Sequence, residues 1–321
     1  METVALAGLG RLGRGIAACL LAHGYKTLAW TPDPAEVAQT ESTVEAALRE
    51  MAAHGAIDTS RLHGWRDLWT PVATLAEFRP ASFVIESIIE NLQAKQSLYR
   101  ELEAAIEAGT PIATNTSSLP VAQLQQQLRH PQRLIGMHWA QPAYATRFLE
   151  VIRGPVTDDA TEAATRRLGL ALGKEPCVVA IDLPGFVANR LGYAVYREAL
   201  HLLQLGVADA ETIDRCFRNA FGLWAAVCGP LRWIDMTGGP ALYLTAMENV
   251  LPSLCDGQSA HALAAGVVDA NAAGAGSGRG FYSYAPGEAD RWVQLLREHA
   301  WQIRDLHDRE FPLPPADGVT P

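Results

Sequence analysis

Short apolar runs alternate with amphipathic stretches through the first half of the chain. The amphipathic stretches have apolar residues at helical spacing, and one of them extends from Leu92 to Ala108, with Gly109 placed to end the helix. The apolar runs have the length of buried strands, and they are Val4–Ala7, Thr27–Trp30, Phe83–Ile85, Ile112–Thr114, Leu134–Met137, Leu149–Ile152 and Cys177–Ile181. This alternation predicts an α/β domain with a parallel, doubly wound sheet.

The strand pattern ends near Asp182, and the rest of the chain favours helices. An apolar stripe at helical spacing is formed there by Leu191, Val195, Ala199 and Leu202. The length of 321 residues also exceeds the size at which a single core stops growing, which is about 250–300 residues. We therefore expect an α/β domain over residues 1–182 and an all-helical domain over residues 183–321.

The helical half carries apolar residues on more than one face. They exceed what one small domain readily buries, and they include Phe186, Tyr193, Leu200, Leu203 and Leu205. We therefore expect a homodimer that forms through the C-terminal domain.

The composition excludes several classes of partner. The formal net charge is −9 at pH 7, whereas a nucleic-acid surface needs clustered Lys and Arg. The N-terminus shows no signal-peptide pattern, and no apolar run approaches the roughly 20 residues of a membrane span. Five cysteines without Cys-x-x-Cys spacing indicate neither a disulfide framework nor a metal site. We expect a cytoplasmic protein with a small-molecule substrate and neither nucleic acid nor membrane as partner.

A glycine motif follows the first predicted strand and opens the first predicted helix. Gly8 permits a tight turn, Gly10 lets the backbone approach a pyrophosphate, and Gly13 allows close packing of the helix. Amides at the start of that helix attract phosphate groups. In this position the motif predicts a Rossmann-type dinucleotide-binding domain, whose cofactor loop consists of Gly8, Leu9, Gly10, Arg11, Leu12 and Gly13.

The end of the second predicted strand bears on the choice of cofactor. An acidic side chain at this position usually accepts hydrogen bonds from the adenosine ribose, but this chain has Thr31 there. Thr31 can bind the ribose without repelling a 2′-phosphate, and Arg11 lies in the neighbouring loop. We expect NAD as the cofactor, with NADP as the alternative.

Three polar residues at predicted strand ends have the chemistry of a hydride-transfer site. Oxidation of a secondary alcohol needs a base for the hydroxyl proton, a group that orients the base, and a donor to the substrate oxygen. His138 is the natural base, since the imidazole of histidine titrates near neutral pH. Glu150 can fix its tautomer, and Ser117 can bind the substrate oxygen. Either His138 or Glu150 alone is compatible with a structural role, but the combination favours catalysis.

Seven segments of the chain match one enzyme family in the same order. They are Gly8–Gly15, Ile88–Leu92 with Lys95, Asn115–Leu119, Gly136–His138, Leu149–Val151, Pro184–Leu191 and Gly280–Tyr282. By these segments the chain resembles the L-3-hydroxyacyl-CoA dehydrogenases over nearly its whole length. That family includes relatives that act on free hydroxy acids, namely L-gulonate 3-dehydrogenase (lambda-crystallin) and L-carnitine dehydrogenase.

The resemblance implies a role for each matching residue. His138 is expected to be the general base with Glu150 as its partner, and Ser117 and Asn189 are expected to bind the substrate oxygen. The residues expected at the cofactor are Glu90, Lys95, Asn115 and Gln141, which stands where the family has Asn. Without the resemblance, Asn189 is interpreted as a helix-start residue, Glu90 as a cap and Lys95 as a solvated surface charge.

The substrate follows less directly from the residues. The segment from Glu36 to Trp69, where family members bind CoA with lysines, has no Lys and contains only Arg49, Arg61 and Arg66. Arg147 stands where the acyl-CoA enzymes commonly have Lys, which favours a thioester. We therefore predict NAD(P)-dependent oxidation of an (S)-3-hydroxyacyl-CoA. The alternatives are a free 3-hydroxy acid such as L-gulonate or carnitine, a carrier-protein-bound hydroxyacyl group, or a cofactor-binding structural or sensor protein without catalysis.

Overall fold

The structure is a computed structural model, which describes residues 2–266 and 273–319. The strands within these residues are β1 (Thr3–Ala7), β2 (Lys26–Trp30), β3 (Trp69–Pro71), β4 (Phe83–Glu86), β5 (Ile112–Thr114), β6 (Leu134–Trp139), β7 (Phe148–Ile152) and β8 (Glu175–Val179). The α-helices within them are α1 (Arg11–Ala22), α2 (Ala35–Ala53), α3 (Trp65–Leu68), α4 (Leu92–Ala105), α5 (Val121–Gln125), α6 (Asp159–Ala171), α7 (Ala188–Gln204), α8 (Ala210–Ala220), α9 (Gly229–Met236), α10 (Gly239–Val250), α11 (Ala260–Ala264) and α12 (Glu288–Glu310).

The described strands form one sheet in the order β3-β2-β1-β4-β5-β6-β7-β8. Successive residues of β1 belong to two different apolar clusters, Val4 and Leu6 to one and Ala5 and Ala7 to the other. Since successive side chains of a strand point to opposite faces, both faces of the sheet are covered. The predicted Rossmann-type fold with an all-helical C-terminal region is thus confirmed.

Two features of the sheet differ from the sequence prediction. Strand β3 was not predicted, because it has only three residues, ends in Pro71 and lies at the edge of the sheet. Strand β7 runs antiparallel to β6, although we predicted a parallel sheet. The reason is the connection between them, since residues 140–147 contain no helix that could carry the chain back for a parallel pairing.

The predicted end of α4 was also wrong. The helix ends at Ala105 rather than beside Gly109, and Ile106 follows in an extended conformation with φ −109° and ψ 162°. This conformation buries the Ile106 side chain, which is 6% exposed, in an apolar cluster of the sheet. Burial of one side chain therefore overrides the glycine signal three residues later.

The chain divides into two compact units. The first comprises residues 1–187 and 300–321, and the second comprises residues 188–299. The sequence predicts a boundary at residue 182 and a helical domain that includes the last residues of the chain. The C-terminal part of α12 belongs to the first unit because Trp301 is 1% exposed, stacks on His54 and donates to Glu50 at 2.7 Å.

The second unit consists of helices with little interior of their own. Its helices α7, α8, α9 and α10 have no buried residue. Large apolar side chains are instead exposed, such as Tyr193 at 63%, Leu223 at 72% and Leu231 at 79%. Among the described residues, no helix has the length and apolar character needed to cross a membrane.

Candidate active site

The predicted cofactor loop joins β1 to α1. A Cβ atom on Gly8, which has φ 101°, would lie 2.4 Å from the carbonyl oxygen of Ser87, and one on Gly13 would lie 2.1 Å from the carbonyl oxygen of Gly8. Neither position therefore admits a side chain. Around Gly10, no neighbouring heavy atom of the described residues lies within 4 Å of a Cβ built there. This open space, next to the uncapped first amides of α1, fits a pyrophosphate.

The other loop residues differ in exposure. Leu9 is fully buried at 0% exposure, and Leu12 is half-buried against the same core. Arg11 is exposed at the first position of α1. The backbone of this segment, rather than its side chains, thus faces the space for the cofactor.

A cavity of about 310 Å³ adjoins the glycine loop. Gly8 and Gly10 line it together with Glu36 and Glu101, and its apolar lining includes Trp30, Pro32, Ile88, Ile89 and Leu98. Apolar walls with a few polar groups suit the adenosine part of a dinucleotide. Thr31 directly follows β2, and its hydroxyl donates to Glu36 Oε2 at 2.5 Å.

Glu90 fixes the loop that follows β5. Its Oε1 accepts hydrogen bonds from the Thr116 hydroxyl at 2.7 Å and from the backbone amides of Ser117 and Ser118, each at 2.9 Å. Burial raises the pKa of Glu90, but the bonds from Thr116 and Ser117 and the charge of Lys95 outweigh it and lower the pKa to about 2. Glu90 therefore stays ionised and determines where Ser117 lies.

Lys95 lies inside the first unit with 0% exposure, so it is not a solvated surface charge. Its Nζ lies 2.6 Å from Glu86 Oε1 and 3.6 Å from Glu90 Oε2. Glu86 is also fully buried and accepts from the hydroxyl groups of Tyr99 and Thr114 at 2.6 and 2.7 Å. The ammonium group of Lys95 thus points to two carboxylates of the protein, and it acts on the site by holding Glu90.

Asn91, not Glu90, caps helix α4. The Asn91 side chain accepts from the backbone amide of Ala94 at 3.0 Å. The interpretation of Glu90 as the helix cap was therefore wrong, and the Glu90 carboxylate is left to bind the loop after β5.

Asn115 ties together the ends of three strands. Its Nδ2 donates to Ser87 Oγ at 3.0 Å, and its Oδ1 accepts from the backbone amide of Trp139 at 3.0 Å. Ser87 follows β4, Asn115 follows β5, and Trp139 ends β6. The carboxyl edge of the parallel strands, where doubly wound folds bind ligands, is therefore held in one arrangement.

His138 and Glu150 form a pair across β6 and β7. The antiparallel register places them directly opposite each other, and His138 Nδ1 lies 2.8 Å from Glu150 Oε2. Because an ionised carboxylate can only accept, Nδ1 carries the proton and Nε2 keeps its lone pair. His138 is 8% exposed and Glu150 is 2% exposed. Both residues were predicted, and they have the arrangement of a base with its orienting carboxylate.

The second oxygen of Glu150 is held by a turn after β8. The backbone amide of Val187 donates to Glu150 Oε1 at 3.0 Å. Gly185 and Phe186 precede it in the left-handed region, with φ 81° and 52°, and the Phe186 ring lies 5.7 Å from the imidazole of His138. This turn therefore contributes a donor to the carboxylate and packing to the histidine.

The remaining predicted residues lie in three places. Ser117 is half-buried in the loop held by Glu90, and Gln141 is exposed in the loop after β6. Asn189 is the second residue of α7 and belongs to the second unit.

Three of the four arginines considered for CoA pair with acidic side chains of the protein. Arg147 is 4% exposed, and its guanidinium donates to Glu175 at 3.0 Å, to Asp308 at 3.1 Å and to the carbonyl of Phe311 at 2.7 Å. It therefore anchors the C-terminal segment. Arg66 pairs with Glu45 at 2.9 Å, and Arg49 pairs with the same carboxylate.

Sequence reasoning missed two contributors to the site. The role of Glu86 was missed because an acidic residue at the end of a strand gives no sign in the sequence that it is buried. Lys95 and Tyr99, which lie on one face of α4, indicated that a buried acceptor was needed. The Val187 amide is a backbone group, so no side-chain pattern could indicate it. In the sequence, Gly185 indicated only that a turn lies near Val187.

A doubly wound sheet, a glycine loop and a paired histidine at the sheet edge define a nucleotide-dependent dehydrogenase. Two family models match the chain. The 3-hydroxyacyl-CoA dehydrogenase NAD binding domain matches residues 3–182, and the 3-hydroxyacyl-CoA dehydrogenase C-terminal domain matches residues 185–284. The chain belongs to the 3-hydroxyacyl-CoA dehydrogenase family and is an NAD-dependent dehydrogenase.

Similar proteins act on different substrates. The 5-formyl-3-hydroxy-2-methylpyridine 4-carboxylate 5-dehydrogenase of Mesorhizobium japonicum is 32% identical over 89% of this chain and 92% of its own. A crystal structure of an enzyme of that name, an NAD+-dependent dismutase, covers all of both chains at 30% identity with a TM-score of 0.85. The L-carnitine dehydrogenase of Streptomyces griseus is 34% identical over 79% of this chain and 75% of its own. A probable 3-hydroxybutyryl-CoA dehydrogenase of Bacillus subtilis is 31% identical over 88% of this chain and 98% of its own.

Proposed function

We propose that the chain oxidises the carbinol carbon of a small, carboxylate-bearing substrate with His138 as the general base. The observation that carries this proposal is the 2.8 Å contact between His138 Nδ1 and Glu150 in the NAD-binding domain. It leaves Nε2 as the basic nitrogen for a substrate hydroxyl. Bound NAD+ supplies the acceptor for the hydride.

Each polar residue then has one task. His138 Nε2 takes the hydroxyl proton, and Glu150 stabilises the imidazolium that forms. Val187 holds Glu150 through its second oxygen. By the family resemblance, Ser117 and Asn189 bind the substrate oxygen, and the hydrogen bond that the Ser117 amide donates to Glu90 fixes the backbone that carries Ser117.

The state of the arginines favours a free acid over a CoA thioester. Arg147, the residue that favoured a thioester in the sequence, donates its hydrogen bonds to Asp308 and Phe311 of the C-terminal segment. Arg49 and Arg66 both pair with the Glu45 carboxylate, which offsets one of the three positive charges expected near CoA. Phosphate recognition generally needs such groups to be available.

The relatives support the same substrate class. One structure whose similarity spans all of this chain is that of an enzyme named for a pyridine carboxylate with a formyl group. A hydrated formyl group has the same H–C–O–H unit as an alcohol, so one base serves both oxidations. A 3-hydroxyacyl-CoA is the second candidate, and the relative from Bacillus subtilis favours it.

Paired assays test this choice. Formation of NADH is followed by absorbance with L-carnitine, L-gulonate, 5-formyl-3-hydroxy-2-methylpyridine 4-carboxylate and (S)-3-hydroxybutyryl-CoA. We expect kcat/KM for at least one free acid to exceed that for the thioester by about 10²-fold or more. The reason is that the preferred substrate makes contacts in the transition state that the other substrate cannot make. Preference for the thioester would contradict the proposal. NAD binding without turnover of any of the four would favour a sensor protein.

We also propose a homodimer through the second unit. The support is the exposure of large apolar side chains on helices that bury none of their residues. Monomers rarely expose large apolar patches, whereas dimer interfaces are built from such surface.

A further inference from the structure

The carboxylate missing at the end of β2 is supplied from α2. The Thr31 hydroxyl donates its only proton to Glu36 Oε2 at 2.5 Å and accepts from the backbone amide of Asp33 at 3.3 Å. The hydroxyl of Thr31 therefore has no proton left for a ribose. Its effect is to hold the Glu36 carboxylate beside the end of the strand.

Glu36 also lines the cavity beside the glycine loop. The cavity of about 310 Å³ includes Gly8 and Gly10 at the loop and Glu36 near the end of β2. Glu36 is half-buried in the first turn of α2, where the helix dipole favours a negative charge. The Glu36 carboxylate is thus held by Thr31 at one wall of the cavity.

The cations near this cavity do not offset the acid. Arg11, the residue that kept NADP open in the sequence analysis, is not among the described residues that line the cavity. The second charged group in its lining is another acid, Glu101 of α4. A 2′-phosphate would therefore meet two carboxylates and no arginine in the described lining.

We propose that Glu36, positioned by Thr31, accepts hydrogen bonds from the adenosine ribose of NAD and excludes the 2′-phosphate of NADP. A carboxylate forms stronger hydrogen bonds to hydroxyl groups than a neutral acceptor does. It also repels a phosphate at the same distance, so one side chain supplies both affinity and selectivity. Glu36 thus replaces the acid that ordinarily ends the second strand.

Calorimetric titration with adenosine fragments tests this role without any substrate. The probes are ADP, 2′-deoxy-ADP and 2′-phospho-ADP, with NAD+ and NADP+ as the whole cofactors. The wild-type protein is expected to bind ADP about tenfold or more tightly than 2′-deoxy-ADP, because a charge-assisted bond is lost. In E36Q this ratio is expected to fall to about threefold or less, and NADP+ is expected to gain about tenfold relative to NAD+.

E101Q is the matched control, since it removes the same charge from the same cavity. We expect E101Q to keep the wild-type dependence on the 2′-hydroxyl. T31V leaves the charge of Glu36 but removes the hydroxyl that holds it, and we expect a smaller loss of the preference for ADP over 2′-deoxy-ADP. T31V also provides the test if E36Q does not fold. A wild-type ratio of ADP to 2′-deoxy-ADP affinity in both E36Q and T31V, or an equal fall of that ratio in E36Q and E101Q, would overturn the assignment.

Discussion

At residue 150, one carboxylate joins the histidine on the neighbouring strand to a turn that follows the sheet. Its two oxygens lie 2.8 Å from His138 Nδ1 and 3.0 Å from the Val187 amide. An ionised carboxylate accepts at both oxygens, whereas a protonated acid would present a donor at one of them. The ionised Glu150 carboxylate therefore places the His138 proton on Nδ1.

Replacing Glu150 with glutamine tests this dependence. The glutamine carbonyl can accept from Val187, which turns its amide donor towards Nδ1 and forces the His138 proton onto Nε2. We expect kcat to fall by about 10²–10⁴-fold while KM changes by about twofold or less. Steady-state kinetics with the best substrate measures both. E175Q, which alters an exposed partner of Arg147, is expected to keep activity, and equal losses in the two variants would contradict the tautomer account.

Ionisation of Glu90 makes the free energy of unfolding of the first unit depend on pH. Its pKa is about 2 in the folded protein against an ordinary 4.5, because bonds from Thr116 and Ser117 and the charge of Lys95 outweigh burial. A lowered pKa means that the stabilisation is present above pH 4.5 and is lost as the pH falls towards 2.

The corresponding variant is E90Q. Over that pH window we expect the free energy of unfolding to fall less steeply with decreasing pH in E90Q than in the wild-type protein, since the titrating group is gone. Urea unfolding at a series of pH values gives both curves. Parallel curves would show that the carboxylate does not bind the loop as described.

At the scale of elements, sequence patterns located most of the sheet. Seven strands were predicted near their observed positions because each contains an apolar run between turn signals, and all of them except β8 are mostly buried. Strand β3 could not be found, since Trp69–Pro71 is too short to show a period and contains a proline. The direction of β7 could not be found either, because strand direction depends on the connection and not on the strand's own residues.

The candidate site was predictable to the extent that it consists of side chains at strand ends. His138 and Glu150 were expected as a pair, and the register of β6 and β7 places them opposite each other. The interpretation of Lys95 as a solvated surface charge, made without the resemblance, was wrong because burial by tertiary packing leaves no mark on a helix that carries one lysine. The roles of Glu36 and Val187 depend on distances between segments, which no local pattern contains.

The loop between β1 and α1 offers a pair of contrasting substitutions. G10A places a methyl group in open space where we expect the pyrophosphate, whereas G13A places it 2.1 Å from the Gly8 carbonyl. We expect G10A to weaken NAD binding by about tenfold with little change in melting temperature, and G13A to destabilise the protein by about 1–3 kcal/mol. Calorimetry and thermal unfolding separate the two effects. Unchanged NAD affinity in G10A would show that the pyrophosphate does not bind at this loop.

At the scale of the molecule, the chain leaves its first unit and returns to it. Residues 300–321 belong with residues 1–187, and Arg147 binds Asp308 and the Phe311 carbonyl of the returning segment. The sequence could not show this return, because an amphipathic helix has the same pattern whichever surface it covers.

The second unit leads to a prediction of oligomeric state. Its exposed apolar side chains are expected to be covered by a second copy of the chain. Light scattering at micromolar concentration should therefore give twice the chain mass of 34.6 kDa. A monomer at that concentration would contradict the homodimer.

The central claim is that His138 removes the substrate proton while hydride passes to NAD. Replacing His138 with glutamine removes the basic nitrogen and leaves the cofactor loop untouched. The measurement is kcat for NADH formation with the best substrate, together with the NAD dissociation constant from calorimetry. We predict that H138Q lowers kcat by about 10²–10⁴-fold and changes the NAD dissociation constant by about twofold or less. Nearly full turnover in H138Q would contradict the account.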